Sequence, residues 1–91
     1  MSYGTITITT SPTLIVGPTS FRNSIIMSNV GSQPVYIGPD DSITTADGMP
    51  LYESAYWNHD TGGTKSYMGP YYGIVVSGTG EVRYWERTDR R

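Results

Sequence analysis

His59 and the hydroxyl side chains are the residues of this chain that acid–base or nucleophilic chemistry would use. His59 is the sole histidine and stands beside Asp60, next to a glycine-rich segment. A nucleophilic site also needs a nucleophile and an orienting group held close to the base. The chain has no cysteine, and its 10 serines and 12 threonines are spread along the sequence, so none is singled out. We therefore expect His59 to be a solvated loop residue and the protein not to be an enzyme.

A short acidic stretch carries the side chains best suited to a hard cation. Asp40, Asp41, Ser42 and Asp47 supply oxygen ligands, but their spacing differs from the calcium loop with alternating acidic residues and a distal glutamate. Aspartate is also common in turns, where it accepts hydrogen bonds from nearby backbone groups. The sequence therefore favours a plain turn, and whether a metal lies near Asp40 stays open.

Two glycine-rich pieces have the composition of phosphate loops but not their context. Gly62-Gly63 and Gly78-Thr79-Gly80 lack the strand-to-helix setting and the Lys followed by Ser or Thr that a phosphate loop requires. We expect both to be hairpin turns. With no catalytic residue and no metal ligand set named, no cofactor is expected.

Aromatic side chains are the most distinctive feature, because eight tyrosines and two tryptophans are too many for one small core. Some must be exposed or lie in an interface, unless tyrosine serves simply as an amphipathic sheet residue. Stacking on sugar rings and anchoring a protein interface both suit these residues. Stacking on single-stranded bases is the weakest interpretation, since a basic groove is missing. Tyr84 and Trp85 are adjacent in a strand pattern, so one must face inward and the other outward.

The elements that position these residues are strands. Ala and Leu occur only twice each among 91 residues, which excludes a helical bundle, whereas Ser, Thr, Tyr, Ile and Val favour pleated sheets. Hydrophobic residues make up 36% and charged residues 15% of the chain, and the formal net charge is −2. Nothing in this charge pattern indicates a nucleic-acid partner, and no apolar run is long enough to span a membrane. The beginning of the chain does not resemble an export signal.

Alternation of apolar and polar residues predicts the strands. Residues 3–9 place Ile6 and Ile8 on one face, and residues 22–29 place Ile25 and Met27 on one face of a central strand. Further strands are predicted at 34–38, 51–59, 72–77 and 81–86. Turn residues predict that strands 22–29 and 34–38 pair as one hairpin and strands 72–77 and 81–86 as another. Residues 39–50 are predicted to form a long surface loop anchored by Ile43, and residues 60–64 a mobile tip.

Together these elements predict one all-β domain over residues 1–91. We expect a small antiparallel β-sandwich or jelly-roll-like barrel of about six to eight short strands, with the choice between jelly-roll and immunoglobulin-like strand order left open. Residues 1–20 are expected to form an N-terminal strand or arm, and residues 87–91 a flexible tail. A domain this small, with no disulfide, is expected to gain stability from self-association or from docking on a larger partner.

Several segments together resemble small structural proteins of tailed bacteriophages. The resemblance rests on an Arg-led strand from Arg22, the turn Asn29-Val30-Gly31, the strand Val35-Tyr36-Ile37-Gly38, then Ile43-Thr44, Gly48 and Leu51. The closing segments Tyr72-Gly73-Ile74-Val75 and Val82-Arg83-Tyr84-Trp85-Glu86 fit the same pattern, so residues 22–52 and 70–86 are covered. The segment before Phe21 is less similar, and residues 59–66 resemble an insertion.

The resemblance implies a capsid decoration or cement protein. Such a subunit binds the outer surface of the virion shell, bridges neighbouring major capsid proteins, and forms homotrimers or other symmetric clusters after synthesis in the bacterial cytoplasm. The N-terminal strand is expected to pair with an exposed sheet edge of a neighbour.

The expected interface residues are mostly aromatic: Tyr3, Ile6, Ile8, Tyr52, Tyr56, Trp57, Tyr67, Tyr71, Tyr72 and Trp85. The alternative is a carbohydrate- or receptor-binding module of a phage tail or fibre. In that case Tyr56, Trp57, Tyr71 and Tyr72 would line a sugar platform.

Overall fold

A computed structural model describes residues 2–18, 22–60 and 69–88 of the chain, and its regular elements within those ranges are all strands. The eight strands are β1 Ser2–Ile8, β2 Thr13–Val16, β3 Arg22–Asn29, β4 Val35–Gly38, β5 Met49–Leu51, β6 Tyr56–Asp60, β7 Tyr71–Ile74 and β8 Gly80–Thr88. The predicted all-β fold is confirmed.

The strands form two four-stranded antiparallel sheets. Sheet A has the order β1-β8-β3-β6, and sheet B has the order β2-β7-β4-β5. The pairs β1–β8, β2–β7, β3–β6 and β4–β5 are nested inside one another, as in one long hairpin rolled up on itself. The pairs β3–β8 and β4–β7 join the two halves of each sheet. This nested order is that of an eight-stranded jelly roll, which decides between the two strand orders left open by the sequence.

The core lies between the two sheets and is filled by alternate residues of their strands. Its buried members are Ile8, Ile15, Val16, Ile25, Met27, Val35, Ile37, Tyr71, Val75 and Val82. A bulge in β2 between Leu14 and Val16 lets two consecutive residues, Ile15 and Val16, both enter the core. The predicted separation of the two faces of β3 is confirmed, since Ile25 and Met27 are buried and Ile26 is exposed. β3 is also an inner strand of sheet A, as predicted.

Both predicted hairpins are wrong. β3 lies in sheet A and β4 in sheet B, and likewise β8 lies in sheet A and β7 in sheet B. The segments after β3 and before β8, which contain the predicted turn residues, carry the chain from one sheet to the other. Turn chemistry fixes a change of direction, whereas the choice of partner strand depends on how the whole chain buries its apolar faces.

The predicted strand at 51–59 is in fact two short strands in different sheets. β5 ends at Leu51 in sheet B, and β6 begins at Tyr56 in sheet A. Between them the Ala55 amide donates to the Tyr52 carbonyl over 2.9 Å, and Ser54 has a φ of 67°. This tight turn breaks the strand because a left-handed residue cannot continue an extended backbone.

Other predicted boundaries shift as well. The strand predicted at 72–77 ends at Ile74, and Met49 and Pro50 belong to β5 rather than to the loop before it. Of the strand or arm predicted within residues 1–20, the structure has the strand alternative, since β1 and β2 are integral strands of the two sheets. The predicted tail begins too early, since Arg87 and Thr88 belong to β8. The predicted tip at 60–64 lies outside the described residues except for Asp60, the last residue of β6.

Candidate functional site

Strand alternation directs several exposed aromatic side chains to the outer face of sheet A. On β8, Val82 and Glu86 are buried and Tyr84 packs against the core, while the residues between them point outward. Trp85 is therefore outward and 53% exposed, so the expectation that Tyr84 and Trp85 face opposite ways is confirmed. We call the outward surface formed by Tyr3, Ile26, Tyr56, Arg83 and Trp85 the outer A face.

Strand register sets these side chains side by side. Tyr3 of β1 pairs with Trp85 of β8, and Trp85 pairs on its other side with Ile26 of β3. Their exposed fractions are 81%, 53% and 40%. Directly opposed residues of an antiparallel pair have Cβ atoms about 4.5–5.5 Å apart, so the three side chains form a continuous apolar row across three strands.

A second, more polar row runs beside the first. Thr5 pairs with Arg83, Arg83 with Ser28, and Ser28 with Tyr56, which is 70% exposed. A shallow groove of about 550 Å³ follows the β1–β8 pairing and is lined by Tyr3, Gly4, Thr5, Arg83, Tyr84 and Trp85. The two rows together combine aromatic rings, an aliphatic side chain and a guanidinium group, which are the residue types that dominate protein interfaces.

Sheet B differs because its own loop packs on part of its outer face, at β4. The loop from Pro39 to Gly48 folds back so that Ile43, only 8% exposed, occupies the space where a Cβ of Gly38 would stand. A Cβ at Gly48 would lie 2.8 Å from the Cβ of Tyr36, so the loop closes against this sheet at two places. Ile43 is thus an anchor, as predicted, although it packs outside the main core.

Hydrogen bonds within this loop account for its aspartates. Asp40 Oδ1 accepts from the Ser42 amide over 3.0 Å and from the Ser42 hydroxyl over 2.6 Å. Asp47 Oδ1 accepts from the Thr44 amide and the Thr44 hydroxyl, both over 2.9 Å. These bonds favour the charged carboxylates, so the Ser42 hydroxyl lowers the pKa of Asp40 and the Thr44 amide lowers the pKa of Asp47. The predicted turn is present, and within the described ranges no three His, Asp or Glu side chains gather as a metal site requires.

The structure separates the residues that the sequence proposed for interfaces. Ile8 and Tyr71 are core residues with exposed fractions of 0% and 6%, so their side chains do not reach the surface. Ile6 and Trp57 are partly buried against the core. Trp57 Nε1 is buried with no hydrogen-bond partner among the described residues. Strand alternation explains the burial of Trp57, because it pairs with the core residue Met27.

The proposed sugar platform is not assembled. Tyr56 is outward on sheet A, Trp57 points inward, and Tyr71 and Tyr72 lie on β7 of sheet B. Tyr52 is 59% exposed in the turn between β5 and β6, and Tyr67 lies outside the described residues. Of the proposed residues, Tyr3 and Trp85 are neighbours on the outer A face, and Tyr56 lies on the same face at the opposite edge strand. The loop assignment of His59 is wrong, because this residue pairs with Ile25 within β6.

Asn29 is a buried polar residue, and the sequence indicated only that it forms a turn. It is 0% exposed, and its side-chain amide donates to the carbonyls of Gln33 and Leu51, each over 2.7 Å. Its Oδ1 accepts from the Gly31 amide over 2.9 Å, while its backbone bonds to Ala55 and Ser54. Asn29 thereby joins the end of β3 to three neighbouring segments. Its role is structural.

Comparison of the chain with protein-family models, with curated proteins and with solved structures gave no match. The described part of the chain also contains no helix long and apolar enough to cross a membrane. The outer A face is therefore described from the residues and the strand register of this chain alone.

Proposed function

We propose that this protein is a structural subunit of a bacteriophage particle, a capsid decoration or cement protein that binds the outer shell. The proposal extends the sequence resemblance of residues 22–52 and 70–86. The jelly-roll order is compatible with it, since capsid proteins use this architecture, but the same fold also serves lectins.

The observation that carries the proposal is the outer A face. Tyr3, Trp85 and Ile26 form an exposed apolar row with Arg83 and Tyr56 beside it. Trp, Tyr and Arg are the residues most often responsible for binding energy in protein interfaces. A flat surface of this kind suits contact between folded proteins, and such a contact needs no catalytic residue.

A decoration role also requires only modest affinity from such a surface. A capsid shell presents many equivalent sites, so a small clamp needs only modest affinity at each contact when several copies are linked. The resemblance implies homotrimers. Copies linked in this way would bind the shell through several weak contacts at once. The partners would be the major capsid protein and further copies of this chain.

Binding of the isolated chain to shells tests the proposal. Capsids of the phage that encodes it, prepared without this protein, are mixed with the purified chain and sedimented. We expect saturation at a fixed ratio to the major capsid protein, and weaker binding by Trp85→Ala than by the control Leu14→Ala, whose side chain is exposed on sheet B. An absence of co-sedimentation at micromolar concentrations would contradict the proposal.

A carbohydrate-binding module remains the second proposal, on one observation. The groove along β1 and β8 places Tyr3 and Trp85 beside Thr5 and Arg83, so an aromatic ring and polar groups face the same opening. Glycan binding that is lost in Trp85→Ala, with no binding to shells, would favour this function. Trp57→Ala would not test this function, because Trp57 packs against the core.

A further inference from the structure

The outward residues of β8 form a self-complementary series. Glu81, Arg83, Trp85 and Arg87 are all exposed and alternate with the inward residues. They are centred on Tyr84, which points inward. A reversal of the strand about Tyr84 exchanges position 81 with 87 and position 83 with 85.

A two-fold axis produces this reversal when two copies pack with their outer A faces together. If the axis lies between the sheets and perpendicular to β8, each strand faces its own copy in the opposite direction. Glu81 of one copy then opposes Arg87 of the other, and Arg83 opposes Trp85. Each contact occurs twice. One is an ion pair and the other places a guanidinium on an indole face, which is a favourable cation–π arrangement.

The neighbouring strands are compatible with the same axis. Register places Tyr3 beside Trp85 and Thr5 beside Arg83, so Tyr3 of one copy faces Thr5 of the other. By the same rule Ile26 faces Ser28. Large side chains therefore meet small ones, and no like charges are opposed among these residues. Aligned sheets cross at about 30°, which moves the ends of β8 by roughly 5 Å, within reach of Arg and Glu side chains.

The size of the face sets the expected strength. Four strands about 4.8 Å apart and seven residues at about 3.3 Å each make a face of roughly 19 by 23 Å. Two such faces bury about 900 Å² before the relief of the side chains is counted, which is below the roughly 1,000 Å² of stable interfaces and indicates a weak, reversible dimer. A dissociation constant in the micromolar range is expected.

We propose that the occupant of the outer A face is a second copy of this chain, joined by a two-fold axis across β8. This inference rests on the proposed function in one respect: both treat the outer A face as a protein interface, and the inference names the partner that binds there. It replaces the homotrimer implied by the resemblance with a dimer, since a two-fold contact uses the same patch on both copies and closes at two. The dimer would contact the shell through its other surfaces, and Trp85→Ala would weaken shell binding because a monomer loses the second, linked contact.

Charge reversal within one chain tests this pairing. Sedimentation equilibrium of the full chain gives the dimer dissociation constant for the wild type, Glu81→Arg, Arg87→Glu and the double variant. Each single reversal opposes like charges twice and should weaken the dimer about 10-fold, and the double variant should return to within about threefold of the wild type. Trp85→Ala should weaken it about 30-fold. The control Glu53→Arg reverses an exposed charge away from the face and should leave the constant unchanged.

The outcomes separate the dimer from the proposed function. A monomer at several hundred micromolar, a trimer, or single reversals that the double variant does not rescue would overturn the dimer, whatever the chain does on a particle. A rescued dimer in a chain that binds no shell would leave the dimer established and reject the decoration role. Circular dichroism of each variant checks that the fold is retained.

Discussion

At the residue scale, the buried amide of Asn29 is the polar group on which the fold depends most clearly. Asn29→Ala leaves the carbonyls of Gln33 and Leu51 without the donors that now lie 2.7 Å away. Because an unsatisfied buried polar group costs about 1–3 kcal/mol, we expect a loss of about 2–4 kcal/mol in the free energy of unfolding. Urea denaturation measures this loss. The control Asn58→Ala changes an exposed residue of β6 and should stay within about 0.5 kcal/mol of the wild type, so equal losses would refute the role given to Asn29.

The aspartates of the β4–β5 loop give a pH dependence with a definite sign. Hydrogen bonds from Ser42 and Thr44 lower the pKa values of Asp40 and Asp47 in the folded state. Their contribution to stability is therefore complete above the unfolded value, about 3.9, and is lost as the pH falls through the lower folded values. Thermal melts from pH 7 to pH 2 should show a smaller acid-dependent loss for the double variant Asp40→Asn, Asp47→Asn. An identical loss in both proteins would contradict this assignment.

The direction in which single side chains point was the feature of the site that the sequence predicted best. Alternation predicts that Tyr84 and Trp85 face opposite ways, and the structure shows Trp85 to be the outward one; alternation also separates Met27 from Ile26 on β3. The same rule would have placed Trp57 inward had the strand boundary at Tyr56 been known. Asn29 was recognised only as a turn former. That fits its bonds to the nearby Gly31 and Gln33 but not its bond to Leu51, a residue of β5 that only the folded chain brings close.

At the scale of elements, the loop over sheet B depends on the missing side chain of Gly38. A Cβ at this position would overlap Cγ2 of Ile43. Gly38→Ala should therefore displace Ile43 and lower the free energy of unfolding by about 1–3 kcal/mol, the usual cost of overpacking. Gly17→Ala is the matched control, because a Cβ there would meet nothing within 4 Å. A Gly38→Ala variant as stable as the Gly17→Ala variant would contradict the packing described for Ile43.

β1 is an integral strand rather than an arm, and Ile8 tests this most simply. Its side chain is 0% exposed within the core, so Ile8→Ala should cost about 2–5 kcal/mol of stability in the monomer. Ile26→Ala, measured at concentrations where the chain is monomeric, removes an exposed isoleucine and should cost far less. Denaturant unfolding of the two variants decides the point. A small effect of Ile8→Ala would mean that β1 detaches from β8 without loss of the fold.

At the scale of the whole molecule, the all-β class and the approximate number of strands followed from composition and alternation, whereas their pairing did not. The wrong hairpins show why: the turns after Asn29 and Ile74 look local, yet each leads into the opposite sheet. The partner of β1 is β8, near the other end of the chain. Such distant pairings are selected by the burial of both sheet faces together, and no local pattern encodes them.

The two sheets present different outer surfaces, and this difference bears on the proposed function. The β4–β5 loop packs on sheet B, whereas sheet A presents Tyr3, Ile26, Tyr56 and Trp85 outward. Pairs of copies joined through sheet A would leave their loops and sheet B surfaces directed away from the two-fold axis. A shell subunit with two such surfaces can bridge neighbouring capsid proteins by repeated weak contacts.

The central claim is that this chain is a high-copy component of a virion shell. The most direct measurement is quantitative mass spectrometry of purified particles of the encoding phage, with heads separated from tails, to count copies of this chain per major capsid protein. We predict a fixed ratio near one, confined to heads. A handful of copies on tails, or absence from the particle, would contradict the claim.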